Sequence, residues 1–465
     1  MNEYVIVIFG ASGDLVKRKL LPGLYNLIKK NDIEHFCIVG AAYDAIDVAA
    51  ILERAKEHVQ DGVDQAIWQR IQERFSYQQL NFKERADYDA LKKHIDQQKE
   101  HFHLAKASTL IYFAAAAHFF CDLTRLCAQA RIAERVAHGK TPWTRLVYEK
   151  PFGYDLASAQ EINRCIATYF DESQIFRIDH YLTKELVSSI ASVRFANAVF
   201  EPLWNNRYVD HVQIVLNEKD GIGNRGAYYD KFGAMSDVMQ NHMLELLAII
   251  GMEPPEKFKG KYIRDERVKV LEKIKVIDAF VAQYDTYKNE PQVDPDSTTE
   301  TFAAAYLRIE NKRWAGVPFY LKTGKCLKEK STAIHIKFKS VGELLAHRAT
   351  AANVLTIDIS PVAGFSLQLN AKKPGEMNEL IPVTMDFCHS CLFGLYEGQA
   401  YQALLEGVFE DQLSISVRFD EIEASWRIID TIKKQKHVLH TYACDSAGPQ
   451  ALEQFDKKHG IRWFS

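Results

Sequence analysis

The sequence predicts an N-terminal α/β domain with a doubly wound parallel sheet, followed by an α+β domain with a large, mainly antiparallel sheet plus helices. Three observations predict this. Up to about residue 175, continuous apolar runs alternate with helix-spaced segments. Past residue 200, extended runs follow one another across short turns such as Pro361-Val362-Ala363-Gly364. The 465 residues are enough for two or three domains and a large core. The division falls between residues 1–175 and 176–465, with no internal repeat or low-complexity linker to mark it.

The elements read off in order. Tyr4 to Phe9 is apolar throughout, as expected of a strand buried on both faces. Gly10-Ala11-Ser12-Gly13-Asp14 is a turn, and Val16, Leu20, Leu24 and Leu27 mark one face of a helix. Phe36–Val39 is the next strand, and a mixed helical region follows at about 46–72. Strands at Phe75–Leu80, Leu110–Phe113, Leu146–Tyr148 and Gln174–Phe176 are separated by helices near 84–98, 118–134 and 155–169. In the second domain the strands are His211–Leu216, Phe302–Ile309, Val317–Lys322, Ile334–Phe338, Val354–Ile359 and Phe365–Leu369. Val238, Met239, His242, Met243, Leu246 and Ile250 have helix spacing between them.

Composition narrows the function. Lys and Arg number 58 against 61 Asp and Glu, so there is no basic surplus for nucleic acid. No apolar run reaches the ~18 residues of a membrane span. Met1-Asn2-Glu3-Tyr4 lacks the charged and apolar regions of a signal peptide, so a soluble cytoplasmic protein is expected. The eight cysteines include several in apolar runs, such as Cys37, which read as small buried hydrophobes. Cys388-His389-Ser390-Cys391 has no second ligand pair nearby, so neither a metal nor a redox role is expected.

Two stretches carry chemistry. Strand, Gly10-Ala11-Ser12-Gly13, then helix is the arrangement that holds a dinucleotide pyrophosphate: glycines allow close backbone approach, and the helix start offers free N–H groups. Lys17, Arg18 and Lys19 lie against the dipole preference there, which suggests that at least one meets an anion. The second strand ends at Tyr43-Asp44, and an acid there suits a ribose 2′-hydroxyl, while Ser12 can donate to a 2′-phosphate. The second stretch, Asp179-His180-Tyr181-Leu182-Thr183-Lys184, packs an acid, an imidazole, a phenol and an ammonium where a strand gives way to a helix. Ligands bind at that edge of open α/β sheets.

These motifs together resemble the glucose-6-phosphate dehydrogenase family, in its shorter, bacterial-type form. The resemblance rests on Gly10-Ala11-Ser12-Gly13-Asp14-Leu15 with Lys19, on Glu149-Lys150-Pro151-Phe152-Gly153, and on Arg177-Ile178-Asp179-His180-Tyr181-Leu182 with Lys184-Glu185. It continues through Gly226-Ala227-Tyr228-Tyr229-Asp230, Asp237-Val238-Met239-Gln240-Asn241-His242, Val317-Pro318-Phe319-Tyr320 with Gly324-Lys325, and Gly448-Pro449. It implies oxidation of glucose 6-phosphate to 6-phosphoglucono-1,5-lactone, the entry to the oxidative pentose phosphate route, in a homodimer formed through the second sheet. His242 would be the general base at the C1 hydroxyl, oriented by Asp179. His180, Tyr181 and Lys184 would bind the phosphate, and Glu218 and Asp237 the sugar hydroxyls. Lys325 and Lys330 would reach the substrate from the second domain. Gly10, Ser12, Gly13, Asp14, Leu15, Lys19 and Tyr43 would line the cofactor. Lys150 would lie between the two ligands, with Pro151 in a cis peptide that shapes the turn. No metal is implied.

Three positions depart from the family pattern. Thr183 stands where Gly is common, and a β-branched residue does not easily take positive φ. The resemblance implies NADP as the cofactor, and Tyr43, standing where Arg is common, opens the site to NAD as well. Ala114-Ala115-Ala116-Ala117-His118 lacks a usual Pro. A related two-domain dehydrogenase of another sugar or sugar phosphate, and a non-catalytic dinucleotide-binding sensor, remain as alternatives. On residue type alone, His242 suits a core histidine, Lys325 a turn lysine and Asp237 a helix cap.

Overall fold

A computed structural model describes residues 2–60, 62–179, 181–340, 351–376, 379–393 and 400–464. It forms two compact units. One comprises Met1–Thr183, Lys257–Arg264 and Tyr396–Glu423; the other comprises Lys184–Glu256, Asp265–Leu395 and Ala424–Ser465.

The first unit holds a six-stranded sheet of β1 (Glu3–Phe9), β2 (His35–Ala42), β3 (Phe75–Gln79), β4 (Ser108–Phe113), β5 (Thr144–Glu149) and β6 (Ile175–Ile178). Its order is β3-β2-β1-β4-β5-β6, and each adjacent pair is parallel. The chain order reverses beside β1, the place where such sheets take ligands. Val5 to Phe9 are wholly or almost wholly buried, as a strand covered on both faces requires. The helices of the mixed region are Val48–Lys56 and Gln65–Arg74, and Arg85–His101, Phe120–Gln129 and Leu156–Tyr169 follow. Asp155 starts the last of these by accepting the Ser158 N–H at 2.8 Å.

One part of this core comes from far along the chain. Leu404, Leu405, Val408, Leu413 and Ile415 share a cluster with Ile6, Leu24 and Ile28. A Cβ on Gly23 would lie 3.3 Å from Leu405, so the helices Leu21–Lys29 and Ala400–Phe409 approach closely there. Arg145, buried on β5, donates to the carbonyls of Val408 at 2.6 Å and Phe409 at 2.8 Å. Nothing in the spacing of residues 401–415 announces this contact.

The second unit holds a nine-stranded sheet. Its strands are β7 (Val209–Asn217), β8 (Ile274–Tyr284), β9 (Phe302–Ile309), β10 (Pro318–Gly324), β11 (Ser331–Phe338), β12 (Val354–Ser360), β13 (Gly364–Lys372), β14 (Leu380–Cys388) and β15 (Leu439–Tyr442). The order is β14-β13-β12-β11-β7-β10-β9-β8-β15. Most pairs are antiparallel; β7–β10 and β8–β15 are parallel, because long crossovers rather than hairpins connect them. The strands β8, β14 and β15 are additions to the sequence reading. The Met235–Met243 segment is wound as a π-helix and runs into the α-helix Leu244–Gly251. No helix among the described residues is long and apolar enough to cross a membrane.

Cys37 and Cys127 are buried thiols, as their apolar settings imply. The other six cysteines pair, Cys121 with Cys165, Cys326 with Cys444 and Cys388 with Cys391, at Cα separations of 5.8, 5.0 and 5.2 Å. Separations of 44 and 118 residues give the first two pairs no signature in the sequence.

Candidate active site

In the first unit, the turn after β1 is tight. Gly10 has a φ of 77°, its N–H donates to the Ala41 carbonyl at 2.7 Å, and the Gly13 N–H donates to the Gly10 carbonyl at 2.9 Å. A Cβ on Gly10 would lie 2.2 Å from the Ala114 carbonyl oxygen, so only glycine fits between β1 and β4. Gly13 and Asp14 are exposed at the head of the following helix, and Leu15 packs partly into the core behind them. The absence of side chain at Gly10 and the exposed turn fit the pyrophosphate of a dinucleotide.

The basic residues after the turn find their anion within the chain. Asp14 pairs with Lys17 at 3.0 Å and with Arg18 at 2.8 Å, and those two bonds hold its carboxyl below the usual range. Lys19 stays exposed. The Ser12 hydroxyl donates to the Asp44 carboxylate, joining the turn to the end of β2. Tyr43 beside it is 70% exposed.

At the other side of the sheet, β5 ends at Glu149 and runs into Lys150 and a cis Pro151. Tyr112 and Tyr401 both donate to the Glu149 carboxylate. Burial raises the Glu149 carboxyl; the two phenols and Lys150 oppose that rise, and Asp179 adds to it. Lys150 and Asp179 thus lie within electrostatic range of one carboxylate. Asp179 is buried just after β6 and accepts the Tyr181 N–H at 2.9 Å. His180 lies outside the described residues. Thr183 is buried and is not among the positive-φ residues, so its β-branch fits the turn as built.

The second unit brings its own set together. Lys184 stands at the N-cap position of the helix Glu185–Ala196 in an extended conformation, without a side-chain cap. Lys325, at 2% exposure, is no solvated turn lysine. Its ammonium donates to the Glu218 carboxylate and lies 5.2 Å from the centre of the Tyr229 ring. Its N–H donates to the Thr301 carbonyl at 3.0 Å, and its carbonyl accepts from Tyr442 at 2.6 Å. Asp237 and His242 are both buried within the Met235–Met243 segment, so Asp237 is not the helix cap. Tyr228 donates to Asp237 at 3.4 Å. The Tyr229 hydroxyl is pushed far up by burial and by Asp237, Glu300 and Glu218 around it. Lys330 is exposed between β10 and β11.

Sequence reading assigned no part to Tyr228, Tyr229, Glu300 or Tyr442. The Gly226-Ala227-Tyr228-Tyr229-Asp230 motif was the one available signal for the first two. Among the described residues no group of three or more His, Cys, Asp or Glu is placed to hold a metal.

Two family models match successive parts of the chain. Residues 7–189 match the family model "Glucose-6-phosphate dehydrogenase, NAD binding domain", and residues 191–464 match "Glucose-6-phosphate dehydrogenase, C-terminal domain". The chain is 37% identical to glucose-6-phosphate 1-dehydrogenase of Bacillus subtilis, over 99% of this chain and 98% of that one. It is 36% identical to the Streptococcus pneumoniae protein of the same name, over 99% and 97%. A solved glucose-6-phosphate dehydrogenase in complex with its substrate glucose 6-phosphate superposes with a TM-score of 0.90 at 31% identity, covering 100% of this chain and 99% of that one. The Mycobacterium avium structure superposes at 0.86, also at 31% identity, over 100% and 99%.

Proposed function

The chain belongs to the glucose-6-phosphate dehydrogenase family, whose members are oxidoreductases, and from that premise we propose how its own residues oxidise glucose 6-phosphate to 6-phosphoglucono-1,5-lactone. Residues 1–175 bind the dinucleotide, and residues 176–465 bind the sugar phosphate. The dinucleotide, when bound, supplies the hydride acceptor. Gly10, Ser12, Gly13, Asp14, Leu15 and Lys19 hold its phosphates and sugars, with Tyr43 and Asp44 at the adenosine ribose.

His242 removes the proton from the C1 hydroxyl as the general base, a role for which imidazole is the usual side chain. Asp179 orients that imidazole and stabilises its charged form. His180, Tyr181 and Lys184 donate to the phosphate oxygens, each a group suited to that anion. Glu218 and Asp237 accept from sugar hydroxyls; Lys325 and Lys330 contribute from the second unit, and Lys150 lies between the two ligands. The observation that carries this reading is the convergence of buried Lys325, Tyr229 and Asp237 with half-buried Glu218 in one cluster of the second unit.

Either dinucleotide serves in this reading. Ser12 is the donor for a 2′-phosphate, while the Asp44 carboxylate beside it suits a 2′-hydroxyl. A homodimer through the second sheet is supported by Val383, Met385 and Phe387, large apolar residues exposed on the edge strand β14.

Initial rates with glucose 6-phosphate, glucose and galactose 6-phosphate test the substrate. Glucose 6-phosphate should be turned over at least about 10²-fold faster in kcat/KM than glucose, whose missing phosphate leaves its charged donors unmatched, and faster than galactose 6-phosphate, whose inverted C4 hydroxyl is displaced from its hydrogen-bond partners. Equal rates with another sugar would instead make the chain a related sugar dehydrogenase, and no reduction with any of them a dinucleotide sensor.

A further inference from the structure

Thr299-Glu300-Thr301, a polar stretch leading into β9, touches three parts of the second unit's cluster. The Glu300 carboxylate accepts the Met235 N–H at 3.0 Å, and the Glu300 carbonyl accepts the Ala234 N–H at 2.9 Å. These donors stand at the start of the Met235–Met243 segment, where no intrahelical acceptor is available. The Thr301 carbonyl takes the Lys325 N–H at 3.0 Å. The Thr299 hydroxyl donates to the Asp230 carbonyl at 2.6 Å, one residue beyond Tyr229.

The approach of the carboxylate is built into the backbone. Gly233 has a φ of 69°, and a Cβ there would lie 2.4 Å from a Glu300 carboxylate oxygen. The positive φ favours glycine there, and the missing side chain leaves the carboxylate room to reach the Met235 N–H. A second brace acts on the next residue, where the Lys433 ammonium donates to the Ser236 hydroxyl at 2.6 Å. The helix bearing Asp237 and His242 is thus gripped at its first turn from two sides.

We propose that Glu300 is a positioning residue for the dehydrogenase reaction. It fixes the first turn of the helix that carries Asp237 and His242, and through Thr301 it ties that turn to Lys325. The inference rests on the roles proposed above for those three residues. A single cap contributes modestly to stability, whereas misplacing a reacting group by about 1 Å costs on the order of 10²-fold in rate. The kinetic effect should therefore exceed the loss of folded protein.

The test is steady-state kinetics on Glu300→Ala and Glu300→Gln. Glu300→Ala should lower kcat/KM for glucose 6-phosphate about 10–100-fold while changing KM for the dinucleotide less than about twofold. Glu300→Gln keeps an oxygen at the same reach for the Met235 N–H and should return to within about threefold of wild type. Wild-type kinetics in Glu300→Ala, or a Gln variant no better than Ala, would overturn the proposal. If the Ala variant does not fold, Gln and Asp decide: Gln near wild type with the shorter Asp impaired supports it, and the reverse order overturns it. His242→Asn, run alongside, separates two failures. Lost turnover there with unaffected Glu300 variants removes this inference alone; retained turnover there removes the assignment beneath it.

Discussion

The Glu218 carboxylate accepts the Lys325 ammonium, and the pair spans 107 residues of sequence. Lys325 is almost fully buried while Glu218 is partly open, at 3% and 34% side-chain exposure. Breaking the pair from the Glu218 side therefore strands a buried charge. Glu218→Gln should destabilise the protein by about 1–3 kcal/mol, between the ranges for exposed and for fully buried pairs because one partner keeps its water. Adding Lys325→Met should restore much of that loss, which chemical unfolding of the two variants can measure. A double variant less stable than Glu218→Gln would show that the ammonium is held mainly by Tyr229 and not by the carboxylate.

His242→Asn and Lys184→Ala separate chemistry from binding. The first should lower kcat by about 10²–10⁴-fold, the usual worth of a general base, with a smaller change in KM. The second should mainly raise KM for glucose 6-phosphate by removing a charged donor from the phosphate. Steady-state rates over a range of sugar phosphate check both, and the opposite pattern in either variant would exchange the two assignments.

Much of this architecture was legible because it depends on local pattern. Tyr4 to Phe9 is apolar without a break, so it had to lie between two layers, and Gly10 had to end it. The antiparallel strands of the second unit showed themselves by their turns. The segment 401–415 did not, because its apolar residues complete a core whose other half lies near Leu24. Strand β14 was missed for the opposite reason: its exposed Val383, Met385 and Phe387 give it no buried face to reveal a period. Among site residues, Lys325 looked like a surface lysine until Glu218 and Tyr229 were brought to it. Glu300 sits in Ser297-Thr298-Thr299-Glu300-Thr301, which reads as a solvated loop and acquires its role only from the helix start packed on it.

The Ser12–Asp44 hydrogen bond makes cofactor choice testable. A carboxylate beside the ribose opposes a 2′-phosphate by charge and favours a 2′-hydroxyl. Asp44→Ala should raise the ratio of kcat/KM for NADP over NAD by about tenfold, equivalent to about 1.4 kcal/mol of removed repulsion. Tyr43→Arg should move the ratio the same way by supplying the phosphate with a cation. Initial rates with both dinucleotides measure the change, and an unaltered ratio in both variants would place the adenosine ribose elsewhere.

Acid should weaken the second unit through its buried histidines. His335 on β11 is 5% exposed, its Nδ1 lies 3.0 Å from the Thr356 hydroxyl, and its ring lies 5.1 Å from that of Phe464. Burial, with Lys322 and His211 adding repulsion, lowers its pKa from 6.5 to about 4. His211 on β7 is lowered too, chiefly by burial, although Asp210 opposes the shift. A depressed pKa means that the unfolded chain binds the proton more readily than the folded one. The stability linked to His335 is therefore complete above pH 6.5 and is lost as the pH falls towards 4. That difference corresponds to roughly 3 kcal/mol for this one group. Lys322, lowered by burial from 10.5 to about 8, acts in a separate window and does not change between pH 6.5 and 4. Denaturant unfolding at pH 7, 5.5 and 4.5 should show the decline, and His335→Gln should flatten it by keeping a polar partner for Thr356 without a titrating ring. An equal slope in wild type and His335→Gln would assign the acid sensitivity to other groups.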